Sequence, residues 1–420
     1  MRAAFVISGI LASTSIASLV GTSPARAAPC TADDDDSPGT PNTAMIEGPR
    51  AGHDVLALTK ATYADLAGWT DDKLSQALPS FLGSCAKLAE LKDEDPVGVD
   101  GHGGLAKQWR SACAAAAKVK PGDDAAARAF FEAEFVPFVA AGKKGPMGKL
   151  TGFDVQEVHA SRKKQGKFTI PILARPKDLA MVDLGKFIKD AHGRRAWGRV
   201  DATGELEPYF TRAEIRKGAL AAQKLEIMYA DDPVDVLFAQ IEGSAKAKMD
   251  DGSEVWLEFA GKNGRSYMGV GGLLKARGAL AKPGSGTMQG IRKWFVENPT
   301  KFDDVIDNDA SYVFFKESKV PGAVGSQMVI LTAERSLAVD RAFIAMSTPV
   351  FVDTRAPVVG ELGKTAPWQH LVIAQDTGAG IQGAVRGDVY WGDTREAAER
   401  GGRMGGPGRY WVLLPKGVTK

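Results

Sequence analysis

The spacing of apolar residues changes near residue 149. Upstream, Leu74, Leu78, Phe81, Leu82, Leu88 and Leu91 form one stripe, and Phe130, Phe131, Phe135 and Phe138 form another. Helical spacing over 54–142 predicts helices with one buried face, so both stripes are assigned to packing. From Lys149 the texture alternates and is rich in β-formers, first in KLTGFDVQEVHASRKKQGKFTIPILARP, then in GSEVWLEFAG and the segments from Tyr312. Short helices are predicted at 212–222, opened by a Thr211/Glu214 capping box, and at 288–297. The expected fold is mainly β: a helical N-terminal part, then a barrel-like body with helical insertions. No internal repeat is present.

The chain's first residues read differently. Arg2 precedes an apolar run over 5–20 that is broken by four serines, and Ala25-Arg26-Ala27 has the small-x-small form of a cleavage site. A signal peptide at 1–27 is expected, with export to the periplasm. Cys30 invites a lipid-anchor reading and outer-membrane association, but Ala27-Ala28-Pro29 lacks the usual aliphatic residue, so a soluble exported chain is preferred. Residues 28–47, acidic and rich in Pro, Gly and Thr, read as a disordered linker. Two of the 53 Lys and Arg lie in 1–27, so the rest balance the 51 Asp and Glu and give no electrostatic reason for a nucleic-acid partner. No second long apolar run exists, so no transmembrane segment is expected after cleavage. Cys85 and Cys113 fall on apolar faces of predicted helices; a disulfide is the preferred reading, with two buried thiols as the alternative.

Most familiar chemistries find no support. His53, His102, His159, His192 and His370 are scattered without ligand spacing, so no metal is expected. The glycines of YMGVGGLLKARG lack the strand–GxGxxG–helix order of a phosphate loop, and no GxSxG elbow occurs. The segment LVIAQDTGAGIQGAVRGDVYWG over 371–392 is more informative. It sets Asp376 and Asp388 among glycines and apolar β-formers, with Asp340 earlier in RSLAVDRAFIA. An acid beside Val389, Tyr390 and Trp391 is disfavoured in its ionised form, which suits an acid catalyst. Turn aspartates capping glycine-rich loops are the alternative.

Ordered segments over about 150–415 decide between these readings. They include LARPKDLAMVDLG, FAGKNGRSYMGVGGLL, MQGIRKWF, SYVFFKE, RSLAVDRAFI and AQDTG…GDVYWG…GRMGGPGRYWVLLPK. Together they resemble the membrane-bound lytic murein transglycosylase A family, whose last block is a "3D" domain named for three aspartates. The resemblance implies a double-psi β-barrel with a smaller inserted β-barrel and a glycan groove between them. The implied parts are 48–155 for the helices and first barrel strand, 156–312 for the insert and 313–420 for the 3D domain. It also implies cofactor-free cleavage of the MurNAc-β-1,4-GlcNAc bond of peptidoglycan by an exotransglycosylase leaving 1,6-anhydro ends. Asp388 matches the acid/base, and Asp376 and Asp340 match supporting carboxylates. Thr151, Gly152, Gln240, Lys262, Asn263, Gly378 and Trp391 are the implied substrate contacts, with a structural role as the alternative for Thr151, Gly152, Lys262 and Asn263; Trp256 and Trp294 also offer stacking faces, but only Trp391, beside the acid, has a positional reason to lie in the groove. Glycan strands are the implied partner, with other wall-synthesis or wall-degrading proteins beside them. Two segments depart from the family: TGFDVQE stands where TGYYEPE is usual, and QIEGSA where QIQGSG is usual. A hydrolase on the same scaffold, using Asp376 or Asp340 to activate water, and a silent wall-binding module are the rival readings.

Overall fold

The computed structural model describes residues 54–418 apart from 189–190, 192–193, 281–284 and 379. The expected leader at 1–27, the linker at 28–47, Cys30, His53 and His192 lie outside the described residues.

Strand β1 (Ala57–Lys60) precedes helices α1 (Leu78–Ala89), α2 (Arg110–Ala116) and α3 (Asp124–Glu134), then strand β2 (Phe135–Ala141). Leu74, Leu78, Phe81 and Leu88 are buried as their spacing requires, whereas Leu82 is on the exposed side. Asp123 caps α3 by accepting the Ala126 N–H at 2.9 Å. The phenylalanine stripe is not one helix. Phe130 and Phe131 belong to α3, but Phe135 and Phe138 lie on β2, because Pro137 cannot occupy a helix interior and this stretch pairs with the chain's last strand.

Cys85 of α1 and Cys113 of α2 are joined by a disulfide, with Cα atoms 5.6 Å apart. The sequence separation of 28 residues gives a chain-entropy contribution of about 3.5 kcal/mol. A Cys85→Ser, Cys113→Ser protein is therefore expected to lose about 3 kcal/mol in urea unfolding. An unchanged midpoint and slope would remove the bond from the stability account.

Strand β3 (Gly148–Phe153) leads into the insert. Its strands and helices run β4 (Gln156–Ser161), β5 (Ile170–Leu173), β6 (Leu179–Asp183), β7 (Arg195–Val200), β8 (Leu206–Glu207), α4 (Arg212–Arg216), β9 (Glu226–Ala230), α5 (Pro233–Glu242), β10 (Ser244–Met249), β11 (Glu254–Lys262), α6 (Val270–Ala276), α7 (Met288–Glu297), α8 (Phe302–Ile306) and β12 (Val313–Glu317). Six of these strands form one sheet in the order β12-β11-β10-β4-β9-β5. A parallel bridge between Ala174 and Phe315 brings its two ends together, so the sheet curls into a small barrel. Helix α7 matches its predicted limits. Helix α4 ends early, since Gly218 takes φ of 97° soon after Arg216 and turns the chain. Val313–Glu317, expected to begin the C-terminal part, pairs instead with β11 and completes the insert sheet.

The remaining elements are β13 (Ser336–Val339), β14 (Pro349–Pro357), β15 (Thr365–Asp376), β16 (Arg386–Tyr390), α9 (Arg395–Gly401) and β17 (Gly405–Pro415). With β3 they close a six-stranded ring in the order β3-β17-β14-β15-β13-β16 and back to β3, while β1 and β2 extend from β17. The pairs β13–β15 and β16–β3 are parallel. Val350, Val352, Val372, Ala374, Val389 and Val412 fill the inside of the ring. Phe351, Leu371, Ile373, Trp411 and Leu413 point outward under the helical layer. Both faces of these strands are covered, which explains why Leu371 to Ala374 is continuously apolar rather than alternating. No helix among the described residues is long and apolar enough to cross a membrane.

Candidate active site

Two strands far apart in sequence create the central contact. Parallel pairing of β16 with β3 sets Asp388 opposite Thr151. Both side chains then leave the same face of the ring. The Thr151 hydroxyl donates to Asp388 Oδ1 at 2.6 Å, and Oδ2 has no hydrogen-bond partner among the described residues. Burial pushes the Asp388 carboxyl up, while the Arg386 charge and the Thr151 hydrogen bond pull it back only in part. Arg386 lies two residues away on the same face, its guanidinium anchored on the Gly387 carbonyl at 2.6 Å.

Three more carboxyl groups act on this place. Asp376 ends β15, and its Oδ1 accepts the N–H groups of Ser326 and Thr377, both at 2.8 Å. Burial nevertheless raises its pKa to about 6. Asp154 follows β3, is 2% exposed and accepts from Gln156 Nε2 at 3.0 Å; burial raises it to about 6 as well. Glu242 ends α5 and feels the charges of Asp388, Asp154 and Asp376; burial first and these neighbours second push it well above the usual carboxylate range. Together the four form an acidic cluster where the insert meets the ring.

Of the anticipated residues, Asp388, Asp376 and Thr151 come together. Gly378 is exposed in the loop just after Asp376. Asp340 does not join them. Its oxygens accept the N–H groups of Gly383 at 2.8 Å and Ala342 at 3.0 Å, and its charged neighbours are Asp54 and Arg341. It clamps a loop rather than supporting Asp388.

Trp391 is also not a sugar-stacking face. It is 4% exposed, packs inside the ring against Trp368 and carries Arg400 over its ring. Gly152 serves that packing, since a Cβ there would sit 2.4 Å from Trp391 Nε1. Gln240 is consumed by a hydrogen bond from Arg212 and by its own donation to the Val313 carbonyl at 3.3 Å. Asn263 is fully buried, donates to the carbonyls of Phe210 and Ala310, and accepts from Tyr312 N–H. Both amides are buried and hold the insert together rather than lining a surface open to a glycan. Lys262 keeps an ammonium whose pKa burial lowers to about 8. Trp256 packs beside the Phe153 and Tyr390 cluster with Lys246 over its ring, and Trp294 packs among the insert helices.

The residues that sequence reading missed are Asp154 and Glu242. Their signal was present, because each is the acid introduced by one of the two departures, TGFDVQE and QIEGSA. Elsewhere, His159, Asp231 and Asp235 converge with ligand atoms within 4.8 Å. Lys167 already pairs with Asp231 at 2.8 Å and Arg292 with Asp235, so the cluster is neutralised internally. A cavity of about 580 Å³ lies at Arg175, Phe259, Phe315, Lys316 and Met328, with none of the four carboxyls in its lining.

Comparison with known proteins matches two family models: the MltA specific insert domain over residues 149–316 and the 3D domain over 335–414. Among solved structures, a membrane-bound lytic murein transglycosylase from Agrobacterium tumefaciens is 30% identical, with a TM-score of 0.74, covering 86% of this chain and 98% of its own. MltA of Escherichia coli with bound chitohexaose is 22% identical with a TM-score of 0.60 over 89% of this chain and 94% of its own, and shares the fold. A curated relative, membrane-bound lytic murein transglycosylase A of Escherichia coli K12, is 29% identical over 63% of this chain. The matched region spans 65% of that relative's length.

Proposed function

The chain belongs to the membrane-bound lytic murein transglycosylase A family, and from that premise we propose that it cleaves the MurNAc-β-1,4-GlcNAc bond of peptidoglycan without water, at the cell envelope. Asp388 is the single acid/base. Its proton goes to the glycosidic oxygen as the C1–O4 bond breaks. The muramyl C6 oxygen then bonds to C1, and the Asp388 carboxylate takes the proton that this hydroxyl loses. Atoms balance with no water consumed, and the acid is regenerated.

The observation that carries this reading is the asymmetric setting of Asp388. Oδ1 is fixed by the Thr151 hydroxyl, while Oδ2 is unencumbered and free to carry the proton. Burial holds that proton on at a pH where an exposed aspartate has lost it. Asp376, which feels the Asp388 charge, stands close by without competing for the same hydrogen bonds. The chitohexaose held by the Escherichia coli relative supports a β-1,4-linked N-acetylhexosamine chain as the substrate class.

Digestion of purified sacculi followed by mass analysis of the muropeptides tests the proposal. Anhydro ends, lighter by one water than reducing ends, are expected. Reducing ends would replace the lytic reading with hydrolysis, and bound sacculi with no product would replace it with a wall-binding module.

A further inference from the structure

We propose that Lys149 and Arg386 form a carboxylate-binding shelf beside Asp388 that takes the lactyl carboxylate of a peptide-free muramyl unit, an inference that rests on the function proposed above. The parallel pairing of β16 with β3 that sets Asp388 opposite Thr151 also sets Arg386 opposite Lys149. Side chains two apart on a strand leave the same face, so the two cations lie beside the acid and its threonine, roughly 7 Å along the strands. On the other side of β3, β17 places Gly405 opposite Thr151 and Pro407 opposite Lys149. A Cβ on Gly405 would meet nothing within 4 Å, and Pro407 and Lys149 are exposed, so this part of the sheet is open to a ligand.

This pairing goes against sheet stability. Like charges directly opposite each other on neighbouring strands, which stand about 4.8 Å apart, repel. Among the described residues neither cation makes an ion pair that would offset the repulsion. Arg386 donates instead to the Gly387 carbonyl at 2.6 Å and reaches the Lys149 carbonyl at 3.5 Å, which fixes the guanidinium without neutralising it. Burial disfavours its charge further, and Asp388, which acts on it by charge, is neutral in the acid form. An anion seated between the two cations removes both costs, and a carboxylate suits a fixed guanidinium fork beside a mobile ammonium. The substrate carries one at the right place. The muramyl ring that reacts at C1 bears a lactyl ether on C3, which ends in a carboxylate where no peptide is attached. With C1 at Asp388, that substituent reaches about one strand repeat to the side. N-acetylglucosamine lacks the group, and an attached peptide turns it into a neutral amide.

The test measures, by calorimetry on the Asp388→Asn protein, binding of GlcNAc–MurNAc oligosaccharides that are peptide-free, peptide-free with the lactyl carboxyl converted to its methyl amide, or peptide-bearing. The peptide-free acid is expected to bind about 10-fold tighter than its amide, as hydrogen bonds to a charged group allow. Adding Lys149→Gln and Arg386→Gln together should bring that ratio close to one, while Arg386→Lys alone should keep most of it. Equal affinity for acid and amide overturns the inference, and so does a ratio that survives removal of both cations. A loss confined to the peptide-bearing strands also overturns it, since stem carboxylates would then be the group bound. Wild-type turnover separates this inference from the reading beneath it. Reducing ends would sink the lytic reading, whereas the acid-to-amide ratio is a binding quantity that does not depend on which product is released.

Discussion

Asp388→Asn is expected to lower kcat for anhydro-product release by about 10²–10⁴-fold, the usual contribution of a positioned general acid/base. The amide keeps the size of the carboxyl and can still accept from the Thr151 hydroxyl. It cannot give a proton to the glycosidic oxygen, so the loss should fall on kcat with KM nearly unchanged. Stability should move the other way. The folded site raises the Asp388 pKa by burial, so the unfolded chain is favoured as pH rises from the unfolded value toward the folded one. At neutral pH the wild-type carboxyl is therefore a net destabiliser, and Asp388→Asn should melt at the same temperature or higher. An inactive variant with a lowered melting temperature would mean that the loss is structural and that the acid lies elsewhere. Undiminished turnover would remove Asp388 from its role outright.

How far the site was legible follows from strand geometry. The glycine-rich acidic segment was informative because Asp376 and Asp388 both end or occupy strands of the closed ring. Trp391 was misjudged by proximity: three residues from Asp388 on an extended chain places it on the opposite face, inside the ring. Thr151 and Gly152 divide in the same way, the first meeting Asp388 and the second meeting Trp391. Period-two arithmetic alone could have separated these pairs. The Asp388–Thr151 register could not have been read this way, since it joins strands 237 residues apart through parallel pairing. The fates of Gln240 and Asn263 were also hidden, because an amide used by the core looks the same in sequence as one offered to a sugar. Asp154 and Glu242 were visible only as departures from a pattern, and their meeting required α5 to be packed on β4, the strand that begins just after Asp154.

Arg335→Ala is expected to cost about 3–5 kcal/mol, the range for breaking a buried ion pair by removing one partner. Arg335 and Asp72 are 2% and 3% exposed. The guanidinium grips both Asp72 oxygens, at 3.0 and 2.8 Å, and also donates to the carbonyls of Leu371 and Lys73 and to Gln76 Oε1. Asp72 in turn accepts the Leu371 N–H at 2.7 Å and lies 2.8 Å from His370 Nδ1. These bonds tie the helical layer to β15 and to the residue that precedes β13. β13 pairs with β16 with Ala338 opposite Asp388, so the network also supports the strand behind the acid.

Burial pushes the Asp72 carboxyl up, but the hydrogen bonds from His370 and Arg335 outweigh it and hold it below the usual range. A depressed folded pKa gives stability that is complete above the unfolded value of about 3.9 and lost as pH falls through the folded one. Arg335→Ala should therefore be weakened most at neutral pH and approach wild type under acid. Removing both charges, as in Asp72→Leu with Arg335→Met, should recover part of the loss, because no buried charge is then left without a partner. Urea unfolding across pH decides the matter. A loss below about 1 kcal/mol, the range typical of exposed pairs, would show that helices and ring are held together by the apolar contacts of Phe81, Trp109, Phe351 and Trp411 alone.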